Sequence, residues 1–76
     1  MSLFSEADLS DALIQYRTAV AEAMDVTTAW HEDLEAGRLP SVGQITEFQS
    51  RVGALNEKAR QAWDHYCHVG TLLYRL

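Results

Sequence analysis

The side chains able to do more than pack are concentrated in one short run, "WDHYCH", residues 63–68, which sets Asp64, His65, Cys67 and His68 within about one helical turn. Imidazole, thiolate and carboxylate are the ligands of zinc and its transition-metal neighbours. His65 and His68 stand three apart, the spacing of an i, i+3 ligand pair, and an antiparallel fold would bring Asp8 and Asp11 towards His68. Cys67, however, points to a different side of such a helix. The run therefore reads as two surface histidines bonded to nearby acids, and no metal ion or other cofactor is expected.

Two further pairings, His31 with Glu32 and Asp33 and Cys67 with His68, put a base beside an acid or a nucleophile. Neighbours on a helix diverge by about 100° and do not converge on a substrate. A helical hairpin is also expected to offer no concave pocket in which a pKa could be tuned or water excluded. No catalytic residue is assigned, and the chain is not expected to be an enzyme.

The chain that must position these residues has 76 of them in all. A single core of that size rarely supplies more than about 3 to 5 kcal/mol without a staple or a partner. Cys67 is the only cysteine, so no internal disulfide can form, and no Cys/His spacing of zinc-finger type is present. The start "MSLFSEADLS" lacks the basic residues and apolar run of a signal peptide, and no stretch approaches the roughly 18 apolar residues of a membrane span, so a cytoplasmic location away from membranes is expected. Net charge is −5, and it is uneven: residues 1–38 carry eight acids against Arg17 and Arg38, a net −6, and residues 39–76 carry +1. An acidic first half disfavours contact with a phosphate backbone, so nucleic acid is not an expected direct partner.

The clearest punctuation is "LEAGRLPSVGQ", residues 34–44. Gly37 sits where a helix-ending glycine belongs, Pro40 cannot continue that helix, and Ser41 with Gln44 offers a capping box for the next. Ser5 with Asp8 offers another at the start. Between them Leu9, Leu13, Tyr16, Val20, Ala23, Thr27, Trp30 and Leu34 recur at alternating spacings of four and three. After the turn Ile45, Phe48, Val52, Leu55, Ala59, Ala62, Tyr66, Val69 and Leu73 do the same. The pattern predicts an all-α antiparallel two-helix hairpin, coiled-coil-like, with helix 1 over about residues 6–36, a turn over 37–41, and helix 2 over 42–69 or beyond, Gly70 being a possible stop. Pairing Leu34 with Ile45 then brings Trp30 to Phe48, Tyr16 to Ala62 and Leu9 to Val69, and in most middle layers a bulky residue meets a small one.

One flank of that hairpin is too apolar to be solvated. Helix 1 is expected to place Ile14, Arg17, Ala21, Met24 and His31 there, and helix 2 Gln49, Gly53, Asn56, Trp63, Cys67, Gly70 and Tyr74. Trp63 is expected across from Arg17, where it could stack on the guanidinium. The candidate partner-binding residues are therefore Ile14, Arg17, Ala21, Met24, Gly53, Asn56, Trp63, Cys67 and Tyr74. The alternative is a monomer in which Leu3, Phe4, Leu72, Leu73 and Leu76 fold over Trp63 as a lid.

Two families share parts of this pattern. Leu34, Glu35, Gly37, Leu39 and Pro40, followed by Glu47, Phe48 and Val52, resemble the turn of exonuclease VII small subunits, a likeness over about a quarter of the chain, with Val42 and Gly43 where that family usually has two acids. That resemblance implies a non-catalytic helical hairpin bound to a large nuclease subunit. "PSVGQITEFQSRV", residues 40–52, is similar, with a one-residue gap, to the turn and second-helix start of type III secretion needle subunits. Neither supplies a functional residue. The expectation is a small non-catalytic helical assembly protein that completes a helical bundle with itself or with a protein partner. Alternatives are an accessory subunit of a larger enzyme or secretion machine, and an acidic helical inhibitor of a nucleic-acid-binding protein.

Overall fold

The computed structural model describes residues 4 to 74, which form two long α-helices, α1 (Glu6–Glu35) and α2 (Val42–Leu73), packed side by side in opposite directions, and no strand occurs among the described residues. Both starts are fixed locally. Ser5 Oγ accepts the Asp8 N–H at 3.2 Å while Asp8 Oδ2 accepts the Ser5 N–H at 2.8 Å, and Ser41 with Gln44 repeats the exchange at the same two distances. Each box satisfies donors that the first turn of a helix otherwise leaves open. Replacing Ser41 by alanine is expected to cost about 1 kcal/mol in chemical denaturation, since only the cap is lost at this exposed site.

The end of α1 is as specific. Gly37 takes φ +81°, the left-handed conformation that glycine adopts without steric cost. Its N–H donates to the Leu34 carbonyl at 3.1 Å, and the Arg38 N–H reaches back to the Asp33 carbonyl at 3.0 Å, the paired bonds of a Schellman ending. The Arg38 guanidinium then closes on the Asp33 carboxylate at 2.7 Å. Gly70 does not stop α2, which runs on to Leu73. Leu9 Cδ1 lies 3.5 Å from where a Gly70 Cβ would be, an ordinary contact across the seam.

The seam between the helices follows the expected stripe on α2 from Phe48 to Leu73, all of it buried or half-buried, whereas Ile45 remains 39% exposed. On α1 the phase differs from the expected one. Leu9, Tyr16, Val20, Ala23 and Trp30 are half-buried as foreseen, but Ala12 and Ala19 are buried and Val26 half-buried, while Leu13, Thr27 and Leu34 are exposed. The stripe is turned by about half the 100° between neighbouring residues. The physical reason is size: Ala12 and Ala19, the latter beside Ala62, are small enough to let the backbones come close, and the leucines then fall to the flank.

Aromatic contacts and an ion pair across the hairpin lock the register. Trp30 and Phe48 stack with centroids 4.1 Å apart and planes 11° from parallel, and Lys58 Nζ reaches Glu22 Oε2 at 3.1 Å midway along. Near the tips Phe4 meets His68 edge-on at 6.1 Å. The result is a slat of 57 × 18 × 13 Å.

Candidate functional site

A slat has two flanks as well as a seam, and the structure makes them unlike. On one flank Lys58 bridges to Glu22, and an open groove is lined by Ile14, Gln15, Thr18, Gln61 and His65. On the other, Trp63 lies against Tyr16 with centroids 5.0 Å apart and against Tyr66 at 5.6 Å, yet it keeps 45% of its surface exposed. Helical geometry places Leu13, Arg17, Val20, Met24 and Leu34 of α1 and Val42, Gly53, Asn56, Cys67 and Tyr74 of α2 on this Trp63 flank. Met24 is 61%, Tyr74 64% and Val42 81% exposed, and Cys67 is exposed with a free thiol.

The candidate partner-binding residues therefore separate. Arg17, Met24, Gly53, Asn56, Trp63, Cys67 and Tyr74 share the flank. Ile14 and Ala21 sit on the back of α1, and Ile14 lines the groove with His65 instead. Both follow from the turned α1 phase. The same turn brings in Leu13, Val20 and Leu34, which sequence reasoning had assigned to the seam. Val42, expected as the first residue of helix 2, was not assigned to the flank. The signal that was available was the heptad spacing of Ala12, Ala19 and Val26. Trp63 rests on the Tyr16 ring and not on the Arg17 guanidinium.

Charges on the flank are tied down locally. Arg60 bonds Glu57 at 2.5 Å and Asp64 at 2.9 Å. The hydrogen bond from Arg60 holds the Glu57 carboxyl below its ordinary range, and the same bond raises the Arg60 guanidinium. Both groups are exposed, so the pair orients side chains more than it stabilises the fold. It also turns Arg60 towards its own helix.

The residues with chemical potential do not converge. Asp64 is taken by Arg60, His65 lines the far groove, His68 packs on Phe4, and His31 Nε2 lies 2.9 Å from Glu35 Oε1. Among the described residues no group of three or more His, Cys, Asp or Glu stands close enough to hold a metal ion. The expectation of no concavity is corrected at the turn, where a groove of about 550 Å³ opens beside the Trp30–Phe48 stack, lined also by Asp33, Arg38, Glu47 and Arg51. It holds no histidine, cysteine or serine to act as a nucleophile or neutral-range base.

Of the lid alternative, Leu3 and Leu76 lie outside the described residues. Phe4 sits on His68, Leu72 and Leu73 are half-buried, and Trp63 remains open. Among the described residues no helix is long and apolar enough to cross a membrane. No protein-family model, curated protein or solved structure matches the chain.

Proposed function

We propose that this chain is a non-catalytic helical subunit that works by burying its Trp63 flank against protein. The observation that carries the reading is the run of large apolar side chains left open on one side of a slat with almost no interior. Among the described residues only Ala12, Ala19 and Val69 are fully buried apolar side chains, while Trp63, Met24, Tyr74 and Val42 are all at least 45% exposed. Total accessible surface is 5857 Å², against about 4,700 Å² expected for a compact monomer of this mass. The Cα radius of gyration is 17.1 Å where about 11 Å is expected. Large apolar side chains left open together on so extended a shape mark an interaction site.

Indole anchors ringed by other aromatics are the usual centres of protein interfaces, and Trp63 between Tyr16 and Tyr66 has that form. The exposed, unpaired Cys67 supports a reducing compartment, and with it the cytoplasm. The acidic α1 surface supports a role among proteins over one on nucleic acid.

The test is the mass of the native complex. Isolated from the cell that makes it, the chain is expected to travel in an assembly heavier than its own 8.6 kDa, and a Trp63→Asp variant is expected to elute free while keeping its helical spectrum. A parent chain that travels alone, with the variant indistinguishable from it, overturns the reading.

A further inference from the structure

We propose that the Trp63 flank is covered by a second copy of this chain, lying antiparallel to the first with the two turns at opposite ends, so that Trp63 of each copy seats over Gly53 of the other. This rests on the reading that the flank is buried against protein. It adds the occupant and its orientation.

The centre and ends of α2 and the centre of α1 pair off about one level of the flank. The Lys58–Glu22 bridge, 3.1 Å long, marks one level of the hairpin near the middle of both helices. Trp63 and Gly53 stand five residues to either side of Lys58, and Tyr74 and Val42 sixteen to either side. On α1, Val20 and Met24 stand two residues to either side of Glu22. A two-fold axis laid across the hairpin at that level exchanges the members of every pair, which is what an isologous interface requires: where one residue meets another, the reverse contact follows. Tyr74 then meets the partner's Val42, and Val20 the partner's Met24.

The Trp63 pairing explains a glycine that the hairpin itself does not use. A Cβ built on Gly53 would meet nothing within 4 Å, so nothing in the single chain needs the missing side chain. A glycine inside a helix nonetheless costs about 1 kcal/mol relative to alanine. An indole arriving from a second copy fills the space that the absent side chain leaves. The other two-fold arrangement, with its axis along the slat, sets Trp63 level with the partner's Tyr16 and Tyr66. It crowds the large rings at one level and leaves Gly53 with no indole to fill it, contrary to close packing.

The area is sufficient. The broad face of the slat, 57 × 18 Å, outlines roughly 1,000 Å², and a standard interface takes about 800 Å² from each partner.

The test uses the purified chain and its one thiol. Gln49 and Cys67 stand nine residues to either side of Lys58, so the proposed axis puts a Gln49→Cys thiol beside the partner's Cys67. The two Cys67 residues themselves stay about 27 Å apart by helical rise, far beyond the ~7 Å that a disulfide spans between Cα atoms. Sedimentation equilibrium is expected to give a dimer. Mild air oxidation is expected to give a covalent dimer from Gln49→Cys and none from the parent. Gly53→Leu is expected to keep or raise helicity while weakening the dimer about tenfold or more.

Parent chains that cross-link through Cys67 as fast as the variant overturn the proposed orientation, as does a Gly53→Leu dimer of unchanged strength. A purified chain that stays monomeric at high micromolar concentration while travelling in a heavier complex in the cell sinks the second-copy proposal and leaves the flank's role standing. A purified dimer indifferent to Trp63→Asp sinks both.

Discussion

Val69→Asp is expected to abolish the helical hairpin at neutral pH. Val69 is the largest side chain buried to completion among the described residues, with 0% of its surface accessible, and it lies between the helices beside the Leu9–Gly70 contact. A carboxylate placed there must either stay ionised in apolar surroundings or take up a proton, and either course costs several kcal/mol. A core of this size supplies about 3 to 5 kcal/mol in all, so the substitution exhausts it. Far-UV circular dichroism of the purified variant is expected to show loss of most helical signal at pH 7. Burial raises the folded-state pKa of the new carboxyl above the unfolded value, so the penalty shrinks as pH falls and helicity is expected to recover partly towards pH ~4, where aspartic acid neutralises in an open chain. A variant as helical and as cooperative as its parent at neutral pH would refute a seam through Val69.

Trp30→Ala is expected to be the next most damaging change, lowering stability by about 2 to 3 kcal/mol. The indole lies flat on Phe48, 4.1 Å between centroids, in the first full layer below the turn. It is half-buried, so the loss falls short of the 3 to 5 kcal/mol typical of a fully enclosed ring. Trp30→Phe keeps a ring to stack and is expected to retain most of the stability. Urea unfolding followed by circular dichroism separates the two. Equal midpoints for Trp30→Ala and the parent would show that the stack contributes nothing.

What was legible in the sequence was what is decided locally. Ser5 with Asp8, Ser41 with Gln44, and Gly37 followed by Arg38 each satisfy backbone groups within a few residues, and all three form as their types and spacing require. The α2 stripe was legible because its apolar residues allow only one phase. The α1 stripe was not, because two stripes fit: one through Leu13, Thr27 and Leu34, the other through Ala12, Ala19 and Val26. Choosing between them depends on how closely the second helix approaches, a tertiary property that hydrophobicity alone does not encode. The candidate site inherited that ambiguity. Its α2 members, Gly53, Asn56, Trp63, Cys67 and Tyr74, lie together on one flank, whereas on α1 only Arg17 and Met24 join them and Ile14 and Ala21 turn away. The all-α antiparallel hairpin survives either phase, since its direction is set by the short turn.

The arrangement of ring contacts along the slat also dictates an order of events. Trp30 and Phe48 close a loop of eighteen residues, Glu22 and Lys58 one of thirty-six, and Phe4 and His68 one of sixty-four. Each wider closure surrenders more chain entropy unless the narrower one has already formed. The molecule is thus expected to assemble like a zip fastener whose slider starts at the Gly37 bend, with the Phe4–His68 contact the last to close.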